Sequence, residues 1–432
     1  MIATNLSVNQ AGHLCFAGQD VCDLAERFGT PLYLMDEDRI RENCRLYKAA
    51  FAESFGAAAA PAYASKAACF RHMYRIMAEE EMCIDVVSSG EIYTAVHAGF
   101  PMDRAFFHSN NKTDADILYA MDAGVGHFVV DGEDELIRLS ELAERRGAVQ
   151  KILLRLTPGI DPHTYEAVNT GMVDSKFGTA IETGQARELV ARTLQLKGVA
   201  LDGFHCHVGS QVFDEDVFQR TADIMLPFLA QMRDEFGLNS KILNFGGGYG
   251  VPYVESDGTV DIRARIGEVA AHMKALCREL SMELPFFIME PGRSIVADAG
   301  LTVYRVGAVK RIPGYKNYVN VDGGMTDNPR YALYGSKYTV IHGEKANEPA
   351  TFLCDLVGRC CESGDIVQPA IRLPESTARG DLVCVCTTGA YNYSMASNYN
   401  RIPRPPVVML RAGEASVVVR RETFADLTAL DL

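Results

Sequence analysis

The sequence predicts a closed parallel (β/α)8 barrel followed by an antiparallel β domain, an α/β plus all-β chain. Three observations carry this reading. Eight short β-rich runs each end in polar or glycine residues and give way to a helical pattern. After Arg293 the hydrophobic period changes to two. The 432 residues, 48% of them hydrophobic, suffice for two cores. The predicted division is 37–298 for the barrel, with 1–36 and 299–432 forming the β domain.

In chain order, 14–34 holds short strand-like pieces around a helix at 20–28, and a charged helical stretch runs over 36–53. The eight runs lie at 62–65, 83–87, 105–108, 127–130, 152–156, 203–207, 242–245 and 286–289. Between them fall helical stretches such as 91–98, 114–123, 133–146 and 213–236, the first opened by a capping box, Ser88 to Glu91. Such strand–helix units in series close into a barrel of the TIM type. Beyond it, 301–309, 317–321, 351–354, 381–386 and 416–420 alternate as antiparallel strands, completed by the N-terminal segment.

A formal charge of −14 and a pI near 5.2 argue against nucleic acid or an anionic membrane as partner. The start lacks a basic segment followed by an apolar one, and no apolar run is long enough to span a bilayer, so a soluble cytoplasmic protein is expected. The twelve cysteines are scattered, with no Cys-x-x-Cys pair, and read as free thiols. No metal is expected: in His205-Cys206-His207 the histidines share one strand face while the cysteine points away.

A barrel of this kind works at the C-terminal ends of its strands. The polar residues there are Lys66, Asp85, His108, Asp131, Arg155, His207, Gly246 to Gly248, Glu290 and Arg293. Lys66 follows a run of small residues, where partial desolvation would free its amine for imine chemistry; a surface lysine after a strand is the plainer alternative. Gly246-Gly-Gly248 lets backbone N–H groups approach a phosphate, although a tight turn reads equally well and Val251 breaks the dinucleotide spacing. Glu290-Pro-Gly-Arg293 offers a carboxylate and a guanidinium, or else a turn with a surface ion pair. Lysine, phosphate cradle, carboxylate and a stacking histidine on one rim describe a pyridoxal phosphate site. Downstream, 327–335, 360–365 and 389–398 are polar loops favoured for ligand contact.

These residues carry a resemblance over nearly the whole chain. Tyr63-Ala-Ser-Lys66, His205-Cys-His-Val-Gly-Ser-Gln211, Gly246-Gly-Gly248, Glu290-Pro-Gly-Arg293, Cys361-Glu-Ser-Gly-Asp365 and Gly389-Ala-Tyr391 resemble the fold-type III pyridoxal phosphate decarboxylases, most of all the diaminopimelate decarboxylases. The resemblance implies that Lys66 binds pyridoxal 5'-phosphate covalently, His207 stacks on its ring and Glu290 pairs with the ring nitrogen. Ser210, Gly246, Gly247, Gly248 and Arg293 would bind phosphate, with Asp85, Gly292 and Tyr391 also at the cofactor. Cys361, rather than its neighbour Cys360, would be the proton donor, supplied across a homodimer interface by the second chain.

The implied reaction takes meso-2,6-diaminopimelate to L-lysine and CO2, the last step of lysine synthesis. Its distal end needs cations for a carboxylate and an anion for an ammonium. Arg330 and Arg293 suit the first, Glu362 the second, and Tyr334 and Tyr391 add hydroxyls. Arg293 is open to phosphate, substrate or both. Two other readings stand beside this one: a decarboxylase of ornithine, lysine or carboxynorspermidine, and a non-catalytic homologue that binds such an enzyme.

Overall fold

The computed structural model describes residues 1–160 and 175–432. The chain divides into two compact units, Asn43–Gly250 with Thr259–Gly292, and Met1–Glu42 with Val251–Gly258 and Arg293–Leu432. The sequence pattern placed 37–42, 251–258 and 293–298 in the barrel, whereas here they group with the β-rich unit. Contacts within the β-rich unit reach these segments: Arg411 pairs with Glu37 at 3.0 Å, the Thr339 N–H donates to the Tyr253 carbonyl (3.0 Å), and the Gly389 N–H to that of Ala297 (3.1 Å).

The first unit is the barrel. Its strands are Ala59–Ala64, Cys83–Val86, Ala105–Phe107, His127–Val130, Gln150–Thr157, Val199–His205, Ile242–Asn244 and Phe286–Met289. Each pairs in parallel with the next, and Met289 opposite Pro61 closes the ring. All eight predicted runs are therefore strands. Helices including Ser89–Ala98, Asp114–Asp122, Glu133–Arg145 and Val217–Phe236 follow them. The last starts at Val217 rather than 213, after Asp214 and Asp216 have both bound Arg220. The expected capping box is half formed. Ser88 Oγ accepts the Glu91 N–H (3.2 Å), but the Glu91 carboxylate turns to the Val87 N–H (2.6 Å).

Inside the ring, Ala62, Phe106, Val129, Leu153 and Ile288 are buried, with Cys83, Ile242 and Phe286 packed on them. Side chains two residues apart on a strand share a face, so this apolar layer fixes which residues form the next one.

The β-rich unit holds a nine-stranded sheet. Its main path runs Ile366–Pro374, Ala350–Val357, Lys316–Val321, Gly300–Ile312, Leu32–Asp36, Val407–Arg411 and Glu414–Val419. Leu382–Cys386 joins at Gly300–Ile312, and Val340–His342 joins at Leu382–Cys386. The expected antiparallel domain is thus mostly antiparallel, since two of its pairings are parallel, Lys316–Val321 with Ala350–Val357 and Leu32–Asp36 with Val407–Arg411. Three of its strands escaped the period-two reading: Val340–His342 is short, Ile366–Pro374 contains Pro369, and Val407–Arg411 follows Pro405-Pro406. All twelve cysteines are free thiols, and Cys384 and Cys386 are buried on their strand. Among the described residues no helix is long and apolar enough to cross a membrane.

Candidate functional site

One step beyond the apolar layer the barrel becomes polar. Two residues after Cys83, Phe106, Val129, Leu153, Ile242 and Ile288 stand Asp85, His108, Asp131, Arg155, Asn244 and Glu290. The alternation that buries the core therefore also gathers these side chains on one interior face.

Glu290 is their centre. It is 5% exposed, and its Oε1 accepts from His108 Nε2 at 2.8 Å and from Asn244 Nδ2 at 2.7 Å. His205 Nε2 lies 3.3 Å from Oε2, and the His108 and His205 rings meet edge to face at 4.7 Å. Burial alone would raise the Glu290 carboxyl, yet the imidazoles and their N–H groups hold it well below the usual carboxylate range. Burial pushes His205 down to about 3, against the pull of Glu290. His108, His205 and Glu290 bring three donor atoms within 4.8 Å of one another, a spacing that metal ligands also use.

Asn244 links this carboxylate to the glycine run, for its Oδ1 accepts the Gly246 N–H at 2.8 Å. Each glycine there is forced by close approach. A Cβ on Gly246 would sit 2.6 Å from His207 Nδ1, one on Gly247 2.1 Å from the Glu290 carbonyl, and one on Gly248 2.6 Å from the Gly209 carbonyl. Gly292 packs the same way, its missing Cβ 2.8 Å from that of Ala64.

Lys66 sits on a 3-10 turn, Ser65–Ala67, just past the first strand, and the Tyr63 hydroxyl pins that turn by donating to the Ala68 carbonyl (3.0 Å). Ser65 and Ala67 are buried beneath the turn, and this leaves Lys66 exposed. Asp85 is 1% exposed; burial raises its carboxyl against the pull of His108 and Lys66. Burial, with Lys66 adding to it, depresses His207. Ser210 follows on the half-buried loop after the sixth strand.

The β-rich unit gathers a second set. The Arg293 guanidinium, 5% exposed, donates to the Tyr253 hydroxyl at 2.7 Å and lies 4.8 Å from the Tyr391 ring centre. Arg330 approaches the same ring at 5.3 Å and that of Tyr334 at 5.1 Å. Glu290 and Arg293 are both buried, so the surface ion-pair alternative for Glu290-Pro-Gly-Arg293 is excluded. Cys361 and Glu362 are exposed on a loop of this unit. That loop is fixed by Asp365, whose carboxylate accepts the Met325 N–H (2.6 Å) and the Cys360 N–H (2.7 Å), while the Cys361 N–H donates to Asn400 Oδ1 (2.8 Å). Burial and the Asp365 charge push the Cys360 thiol up to about 12.

Sequence reasoning missed Asn244, reading it as part of an apolar run; its place two residues after Ile242 was the available signal. It likewise gave no role to His205, or to Tyr253, which lies in a loop without motif.

A buried, ionised carboxylate beside a backbone cradle and a lysine at a strand end defines a cofactor-dependent barrel enzyme. The description "pyridoxal-dependent decarboxylase, pyridoxal binding domain" matches residues 37–297, and the chain belongs to this family of decarboxylases. It is 44% identical over 424 residues to the diaminopimelate decarboxylase of Bacillus subtilis, covering 98% of this chain and 96% of that one. The M. jannaschii diaminopimelate decarboxylase solved with L-lysine superposes with a TM-score of 0.92 at 32% identity, covering 100% and 98% of the two chains. The Vibrio vulnificus lysine/ornithine decarboxylase complexed with putrescine gives 0.75 at 25% identity over 90% and 97%.

Proposed function

We propose that this chain decarboxylates meso-2,6-diaminopimelate to L-lysine and CO2, as a pyridoxal phosphate-dependent carboxy-lyase. The observation that carries the reading is the Glu290 clamp beside the glycine cradle, in a chain with 44% identity to a diaminopimelate decarboxylase along almost its full length. The residues present fit the cofactor: three glycines with no room for a Cβ suit a phosphate, and a buried carboxylate kept ionised suits a ring nitrogen.

When bound, pyridoxal phosphate supplies a ring that accepts the electron pair left behind as the carboxylate departs as CO2. Glu290 would pair with the ring nitrogen and favour its protonated form, and the donors from His108 and Asn244 keep the Glu290 carboxylate ionised for that role. Lys66 anchors the cofactor through its amine, with Asp85 and Gly292 beside that anchor. His207 would stack on the ring, while Ser210, Gly246 to Gly248 and Arg293 would hold the phosphate. Cys361 Sγ delivers the proton to the carbon that has lost CO2. Arg330 takes the distal carboxylate, assisted by the hydroxyls of Tyr334 and Tyr391, and Glu362 takes the distal ammonium. The working form is a cytoplasmic homodimer in which Cys361 and Glu362 serve the second chain's site. Their exposure supports this.

CO2 release from meso-diaminopimelate, ornithine and lysine tests the reading. Lys66→Ala should abolish release and the absorbance of lysine-bound cofactor. Preferred turnover of ornithine would overturn the substrate assignment.

A further inference from the structure

The barrel buries a cation for which the proposed reaction has no direct use. Lys112 is completely shielded in its side chain, and its three N–H groups find three acceptors: the Ser109 carbonyl at 3.1 Å, the Val129 carbonyl at 2.7 Å and Glu135 Oε1 at 2.7 Å. A buried ion pair is a poor source of stability, because desolvation offsets most of its attraction; its usual value is geometric. The geometry here is specific. Ser109 is not glycine, yet its φ is +126°, a conformation that must be held from outside. It directly follows His108, the donor to Glu290 Oε1. The opposite oxygen of Glu135 accepts the Asp131 N–H at 3.1 Å, at the end of the fourth strand.

We infer that Lys112 is a positioning residue: by clamping the strained Ser109 carbonyl to the fourth strand and Glu135, it fixes His108 against Glu290 and so sets the carboxylate that faces the cofactor ring. This rests on the decarboxylase reading above. Lysine is suited to the task because its ammonium points three donors at acceptors on different elements, which the planar fork of arginine does not reproduce.

The test uses the full-length enzyme loaded with pyridoxal phosphate. Lys112→Met/Glu135→Gln removes both charges together, so no unpaired ion stays buried, and the amide oxygen at 135 still accepts from Asp131. Lys112→Arg keeps the positive charge beside Glu135 while changing the donor geometry. Displacing His108 should lower kcat by about 10-fold to 100-fold in both variants, with KM within about 3-fold. Amide hydrogen exchange in the segment 108–112 should quicken at least about 5-fold in both, with the melting temperature of Lys112→Arg near that of the parent. Wild-type kcat and exchange in folded Lys112→Arg would overturn the inference, as would a kcat loss that only follows the folded fraction. Absence of diaminopimelate turnover in the unaltered enzyme would instead sink the decarboxylase reading, leaving the exchange result to judge the clamp.

Discussion

Gly247→Ala perturbs the glycine cradle at the point where it packs against Glu290. The glycine is needed for space alone. A Cβ there would lie 2.1 Å from the Glu290 carbonyl oxygen and 3.0 Å from its carbon, whereas ordinary contact begins at 3.4 Å, so the two segments must part by about 1.3 Å. They cannot part freely, because the Glu290 N–H donates to the Gly246 carbonyl (2.8 Å) and the Phe245 N–H to the Ile288 carbonyl (3.0 Å). The displacement therefore falls on Glu290 and on the cradle together. A shift of roughly 1 Å at a reacting centre costs on the order of 100-fold in rate, so kcat/KM should fall by about that factor and the Kd for pyridoxal phosphate should rise at least about 10-fold. Gly237→Ala is the control. That glycine ends the helix Val217–Phe236 at φ +69° with nothing within 4 Å, so alanine there costs about 1 kcal/mol of stability and leaves cofactor affinity unchanged. Cofactor titration by absorbance, with folding followed by circular dichroism, gives the comparison. If folded Gly247→Ala binds the cofactor and turns over within about 3-fold of the parent, the cradle argument is wrong.

Two further outcomes follow from the β-rich unit. Cys361→Ala should lower kcat by about 100-fold or more, the loss expected of a missing general acid, while Cys360→Ala, whose thiol burial and Asp365 hold at about 12, should stay within about 3-fold; the reverse order in CO2 release would reassign the donor. Asp327, 1% exposed and raised to about 7 by burial despite the Tyr304 hydroxyl, keeps a proton in the folded chain that the unfolded chain releases. Its contribution is therefore complete below about pH 4 and declines as pH rises to about 7, by up to about 4 kcal/mol. Asp327→Asn should flatten that slope in urea denaturation at pH 4.5, 6 and 8, and an unchanged slope would assign the pH dependence elsewhere.

The sequence by itself determined the barrel and the family, because both are written in local patterns. Eight strand runs show in period and punctuation, and Lys66, Gly246 to Gly248 and Glu290 fall at strand ends where a parallel barrel does its work. What it did not determine were properties set by neighbours distant along the chain. The exposure of Lys66 depends on which side of a single 3-10 turn is buried. Asn244 looked like filler in an apolar strand until ring closure set it against Glu290, 46 residues away. Lys112 gave no signal at all, since its three acceptors come from Ser109, Val129 and Glu135, and only the folded barrel brings them to one ammonium. Strand periodicity is a local property of the chain and survives in sequence; the partner of a buried polar group is a property of closure, and only tertiary structure decides it.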